Sequence, residues 1–335
     1  MCKREDLPRI DQLANSDGYV SLLGLISHEY FHTWSVKRLR PVGFTRYDYT
    51  QENYTDLLWF FEGFTSYYDD VLLCRAELIS PALYLKLLGK TINNVWQTPG
   101  RKKHSVAQSS FEAWTKLYLQ DANSPNLSVS YYAKGSLVGL CLDLSLRQSG
   151  HSLDEVMRGL WKRCKAGPMQ ESDVLQVLKD ITGRRWQREL KVWVHGTADL
   201  PLRELLTAQG VDIAEDKPPL TQQLGLRVQE NHAVQVQTVL NDSVGEAAGF
   251  APGDEWLGVT VGVAGSATAS AWRIKRIDQL PGLLGKYKTF NALVARDGQL
   301  LDLPVRLPMK TQAVWRLGIK DPLKVGQWLA GKSAT

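Results

Sequence analysis

The stretch His28-Glu29-Tyr30-Phe31-His32 lies within an apolar periodic run over residues 19–34, and its reading decides how the rest of the chain is understood. On a helix, residues four apart share one face at about 5–6 Å, so two imidazoles at this spacing can grip one zinc ion. Glu29, beside His28, stands where a carboxylate reaches a metal-held water instead of the metal itself. The pattern proposes metal-assisted hydrolysis; the competing reading is a helix with two surface histidines. Leu22, Leu23, Leu25, Ile26 and Phe31 are expected to supply the buried helix that such a site needs.

A catalytic zinc site takes three protein ligands and keeps one position open, so a third ligand is sought downstream. Glu62 is the candidate, set in Trp59-Phe60-Phe61-Glu62-Gly63-Phe64 on a helix expected over residues 54–78. A carboxylate among aromatic residues is costly to bury unless a metal or partner neutralises it. The competing reading is a glutamate facing solvent. Thirty residues separate it from His32, room for the first helix to end at Pro41 and for a second to pack back.

The run from His28 through Thr33-Trp34-Ser35-Val36-Lys37-Arg38-Leu39-Arg40-Pro41 resembles the active-site helix of the glycyl aminopeptidases, a family of PDZ-containing gluzincin zinc metallopeptidases. Tyr47-Asp48-Tyr49, Glu52, Tyr54-Thr55, Leu58-Trp59 and Glu62-Gly63 continue the resemblance in the same order. It implies one Zn2+ per chain held by His28, His32 and Glu62, with Glu29 as general base. Tyr131-Tyr132-Ala133-Lys134-Gly135 resembles the Tyr-x-Lys-Gly pattern of the wider gluzincin aminopeptidases, which implies Tyr132 as the oxyanion donor. Tyr131 is next in line, and register alone does not separate the two. Zinc-bound water would attack the peptide carbonyl while Glu29 takes its proton. Lys37, Arg38 and Arg40 are expected to complement the negative end of the helix before Pro41. Family members carry a β-rich region before the zinc helix. With the pentad starting at residue 28, the chain reads as lacking that region, which bears on how a substrate's free amine is held.

The expected fold class is multidomain α+β: a mainly helical, thermolysin-like catalytic domain over 1–215, a β-rich PDZ-like domain over 216–310 and a C-terminal tail over 311–335. Helices are expected over 81–96, 137–146, 153–161, 174–181 and 186–194, with a long loop over 112–130 shaping the cleft entrance. Glu215-Asp216-Lys217-Pro218-Pro219 reads as a linker, after which Val234-Gln235-Val236-Gln237-Thr238-Val239-Leu240 alternates as a half-buried strand does. Ser243-Val244-Gly245-Glu246-Ala247-Ala248-Gly249-Phe250 resembles the short helix and turn of PDZ domains. That resemblance implies Leu224-Gly225-Leu226 as the turn receiving a peptide carboxylate. Residues 262–270, rich in Gly, Ala and Ser, read as a flexible insertion.

The chain has 335 residues, 44% of them hydrophobic, enough for a sizeable core. A net charge of +5 from scattered basic residues does not indicate nucleic acid. Cys2, Cys74, Cys141 and Cys164 lack paired metal spacing and read as reduced thiols. No apolar run reaches the roughly 18 residues that span a membrane, and the first six residues lack a signal-like core. The expected location is cytoplasmic, and the expected partners are peptide or protein substrates and a peptide ligand in the PDZ groove. The functional expectation is a zinc aminopeptidase removing N-terminal Gly or Ala. The alternatives are a catalytically impaired PDZ peptide-binding protein and a zinc endopeptidase.

Overall fold

A computed structural model of the chain describes residues 3–7, 16–262 and 269–331. Helix α1 (Asp17–Phe31) starts where the Ser16 hydroxyl accepts the Tyr19 amide, and it ends three residues before Trp34. It is less buried than its apolar sequence suggests. Val20 and Phe31 are buried, whereas Leu25, Ile26 and Tyr30 are exposed. Because the helix stops at Phe31, Lys37, Arg38 and Arg40 fall beyond its last turn and do not complement it. The chain then turns into β1 (Arg40–Pro41), which pairs in parallel with β2 (Pro168–Met169).

The helix expected over 54–78 is two helices, α2 (Leu58–Phe61) and α3 (Gly63–Arg75), with Glu62 at the junction. Trp59, Phe60, Phe61 and Phe64 are fully buried, so this junction lies in the core and cannot move freely. α4 (Pro81–Trp96) begins with a Ser80 cap and Pro81 in its first turn, as its sequence signals. α5 (Val106–Phe111) and α6 (Ser124–Leu127) follow, then the central α7 (Tyr131–Arg147), buried on nearly every side. α8 (Leu153–Arg163), α9 (Glu171–Thr182), α10 (Gln187–Trp193) and α11 (Leu202–Ala208) complete the first helical series. α9 stops at Gly183, whose φ of +71° suits a residue without a Cβ.

α3 and α7 cross where glycine faces glycine. A Cβ on Gly63 would lie 2.6 Å from Gly135 Cα, and one on Gly135 would lie 2.7 Å from the Trp59 carbonyl oxygen. Only hydrogen on both residues permits this approach, which brings the junction at Glu62 against the first turn of α7.

β3 (Val211–Asp216) takes up the first two residues of the expected linker. α12 (Leu220–Leu224) then leads into β4 (Leu226–Glu230), β5 (Val234–Val239), α13 (Val244–Ala248), β6 (Glu255–Val261) and β7 (Ser270–Arg273). α14 (Leu280–Leu284), β8 (Thr289–Arg296) and β9 (Gln299–Arg306) follow. The strands form an antiparallel sheet in the order β4-β5-β6-β8-β9, with β7 on β6. Its core is its own, with Val234, Val236, Trp256, Phe290, Ala292 and Val294 buried together. Most of the expected insertion, residues 263–268, lies outside the described residues.

The segment past residue 310 returns to the helices. β10 (Val314–Ile319) pairs antiparallel with β3, and α15 (Pro322–Leu329) buries Val325, Trp328 and Leu329 in the helical core. Trp328 Nε1 donates to the Tyr67 hydroxyl at 3.2 Å, and that hydroxyl donates to Asp143 at 2.6 Å. The sheet module is therefore tied at both ends to the same helical body. Asn93 exchanges two 2.8 Å bonds with the Trp315 backbone, and Asn126 bonds the Val239 carbonyl and the Asn241 amide at 2.9 and 2.8 Å. Among the described residues no helix is long and apolar enough to cross a membrane.

Candidate metal centre

The one-turn spacing on α1 places the His28 and His32 rings 4.7 Å apart, edge to face. Glu62 meets them from the α2–α3 junction. Its Oε2 lies 3.2 Å from His28 Nε2 and 3.2 Å from His32 Nε2. One ligand atom from each of the three residues falls within 4.8 Å of the others. Two imidazole nitrogens and a carboxylate oxygen are the donor set of a catalytic metal site, so these residues fit the ion that the sequence implies.

The other ring nitrogens are already engaged. His28 Nδ1 lies 3.2 Å from Asp69 Oδ2, and His32 Nδ1 lies 2.7 Å from the Ser35 carbonyl oxygen. Such partners fix the tautomer and point Nε2 toward the shared centre. Burial lowers the basicity of His28, but Asp69 and Glu62 outweigh it and push its pKa up to about 9. Burial likewise raises Glu62, and the two imidazoles hold it down at about 2. The expectation that a carboxylate here needs a neutralising partner is answered by the pair of rings.

Asp69 escaped the reading of the sequence. It follows Glu62 by two helical turns in Tyr67-Tyr68-Asp69-Asp70-Val71, and an acid directly after two core tyrosines was its only signal. Its backbone is engaged too, its carbonyl accepting the Ser27 hydroxyl at 2.9 Å, which ties α3 to α1 beside the site. Asp69→Asn should weaken metal affinity by ~10–100-fold with little change in helix content. Competition with a chromogenic chelator measures this, and unaltered affinity would remove Asp69 from the site.

Glu29 is exposed and stands outside the ligand set. Tyr132 is half-buried in the first turn of α7, its ring 6.3 Å from that of His28, and burial followed by the Glu62 charge pushes its hydroxyl pKa up. Tyr131 is fully buried behind it, stacked at 4.6 Å. Leu224, Gly225 and Leu226 lie far along the chain in the sheet module. Leu224 and Leu226 are buried, and Gly225, at φ +68°, caps α12 with its amide on the Gln222 carbonyl. Cys74, Cys141 and Cys164 are free thiols, and Cys2 lies outside the described residues.

Two residues after Tyr132, Lys134 carries a buried Nζ with no hydrogen-bond partner among the described residues. Burial brings its pKa down from 10.5 to about 8, although Asp199 pulls the other way. Between those values the unfolded chain binds more protons than the folded one, so stability should rise with pH from about 8 to above 10. Lys134→Met should flatten this rise and stabilise the protein at pH 7 by up to about 3 kcal/mol. Urea unfolding at several pH values checks both, and a destabilised variant would refute the assignment.

Residues 21–138 match the family described as M61 glycyl aminopeptidase. The chain is similar to that family over this stretch. It holds every residue of the metal centre and both tyrosines. A crystal structure of an aminopeptidase N family protein from Idiomarina loihiensis aligns with a TM-score of 0.89 and 32% identity, over 98% of this chain and 58% of that one. This chain thus spans less than two thirds of that relative. No curated protein matches it.

Proposed function

We propose that the chain is a zinc-dependent aminopeptidase acting on small N-terminal residues, glycine and alanine. The observation that carries this reading is the convergence of His28, His32 and Glu62, with both histidines held through their other nitrogens. A zinc ion held there would supply Lewis acidity to the carbonyl oxygen and acidify a water. Glu29, exposed and outside the ligand set, takes the proton of the attacking water and passes it to the departing amine. Tyr132 donates its phenolic hydrogen to the developing oxyanion, a part suited to a hydroxyl that burial keeps protonated.

For the sheet module our proposal is a PDZ-like domain that takes an extended peptide along β4, the edge of the β4-β5-β6-β8-β9 order. Because the Gly225 amide already serves the Gln222 carbonyl, binding would rest on strand pairing more than on carboxylate capture at that residue.

Metal analysis combined with hydrolysis of glycyl and alanyl anilides, with free and blocked amines, tests the function. One zinc per chain and cleavage confined to free amines are expected. Equal cleavage of blocked substrates favours an endopeptidase, and bound zinc without hydrolysis favours a peptide-binding module.

A further inference from the structure

The segment over 112–130 carries a residue whose geometry ties it to the chemistry. Its first part is a π-turn, Ala113–Leu117, closed by the Tyr118 amide on the Ala113 carbonyl at 3.0 Å. Trp114 anchors the turn by donating Nε1 to the Asn53 carbonyl at 3.1 Å, and its ring packs 5.7 Å from that of Tyr118. Tyr118 is 59% exposed, yet its hydroxyl lies 3.5 Å from that of the fully buried Tyr131. Tyr131 stacks on Tyr132, and Tyr132 faces His28. The three phenols therefore cluster beside His28, with the Tyr118 hydroxyl next to both of the others.

A surface tyrosine has water for its hydroxyl. One that turns it toward buried phenols gives them a hydrogen-bonding partner in place of solvent. A separation of 3.5 Å is longer than a formed O–H···O bond, and contacts in an active site commonly tighten once substrate is bound.

We propose that Tyr118 is a positioning residue: its hydroxyl, set beside those of Tyr131 and Tyr132, holds the Tyr132 phenol in the orientation that donates to the oxyanion. This rests on the aminopeptidase reading above. It also makes the placement of the 112–130 segment a condition of turnover.

Tyr118→Phe should lower kcat about 10-fold with KM within about two-fold, and Tyr132→Phe should lower kcat by ~10²–10³. The double variant should be no slower than Tyr132→Phe alone, since both act through one hydroxyl. Additive losses, or a change confined to KM, would mean that Tyr118 meets substrate by itself and would overturn the proposal. A second measurement needs neither metal nor turnover. In metal-free protein labelled with 3-fluorotyrosine, the 19F resonance assigned to Tyr132 by Tyr132→Phe should move in Tyr118→Phe and stay put in Tyr49→Phe, a residue 90% exposed. An unmoved resonance in Tyr118→Phe overturns the proposal whether or not the chain is a peptidase. Absent hydrolysis with the expected 19F shift would count against the functional reading alone.

Discussion

Glu29→Gln is expected to lower kcat by roughly 10³-fold while leaving zinc content unchanged. The substitution keeps the size and polarity of the side chain and removes its ability to take a proton. Glu29 is exposed and lies outside the cluster of His28, His32 and Glu62, so the metal centre loses no ligand. The same measurement on Glu62→Ala gives the opposite division, with metal lost first and activity with it. Steady-state kinetics and metal analysis on both proteins separate the two roles. Retained turnover in Glu29→Gln, or loss of its metal, would take away its part as general base.

The second large effect is expected from a single methyl group. Gly135→Ala places a Cβ 2.7 Å from the Trp59 carbonyl oxygen and 3.0 Å from Gly63 Cα, in a region where Trp59, Phe60 and Phe64 are fully buried. Backbone cannot yield as a flexible side chain does, so α3 and α7 must separate. A helix normally gains up to about 1 kcal/mol from Gly→Ala, whereas overpacking here should give a net loss of about 2–3 kcal/mol. Glu62 directly precedes Gly63, so zinc affinity should fall with stability. Gly326→Ala is the control: it lies in α15 with nothing within 4 Å of its added Cβ, and it should be neutral or slightly stabilising. Chemical unfolding and zinc titration of both variants decide the matter. Equal stability of the two would show that the helices tolerate the wider spacing.

Residues that act through local geometry were legible in the chain. The helix over 81–96 appears with the bounds its Ser80 cap and Pro81 signal, and the helices of residues 137–194 differ from expectation mainly by added turns at their ends. Less legible was how much of an apolar face finds a partner. Leu25 and Ile26 have the spacing of buried residues and are exposed, since periodicity reports a stripe on a helix and not what covers it. The expected helix over 54–78 hid a break at Glu62 because a short buried segment, apolar all round, carries no periodic signal.

The segment from 311 onward was the least readable. Its short apolar stretches resemble a tail, and only pairing of β10 with β3, nearly a hundred residues earlier, gives Trp315 and Leu317 a place in the helical core. Asp69 and Tyr118 belong with it, since each acquires meaning only from a residue on another element.

By itself, the sequence determined the pair of imidazoles, because a four-residue step on one helix is enough to bring them to one face. It also marked Glu62 as a distant residue to look for, and the family resemblance pointed to Tyr132, with Tyr131 next in line. Their meeting was decided by the tertiary structure, through two glycines that let α3 and α7 touch, and through Asp69, which turns His28 toward the shared centre. Helix geometry is local and can be counted along a chain. The approach of two backbones depends on what is missing from both of them at the point of contact.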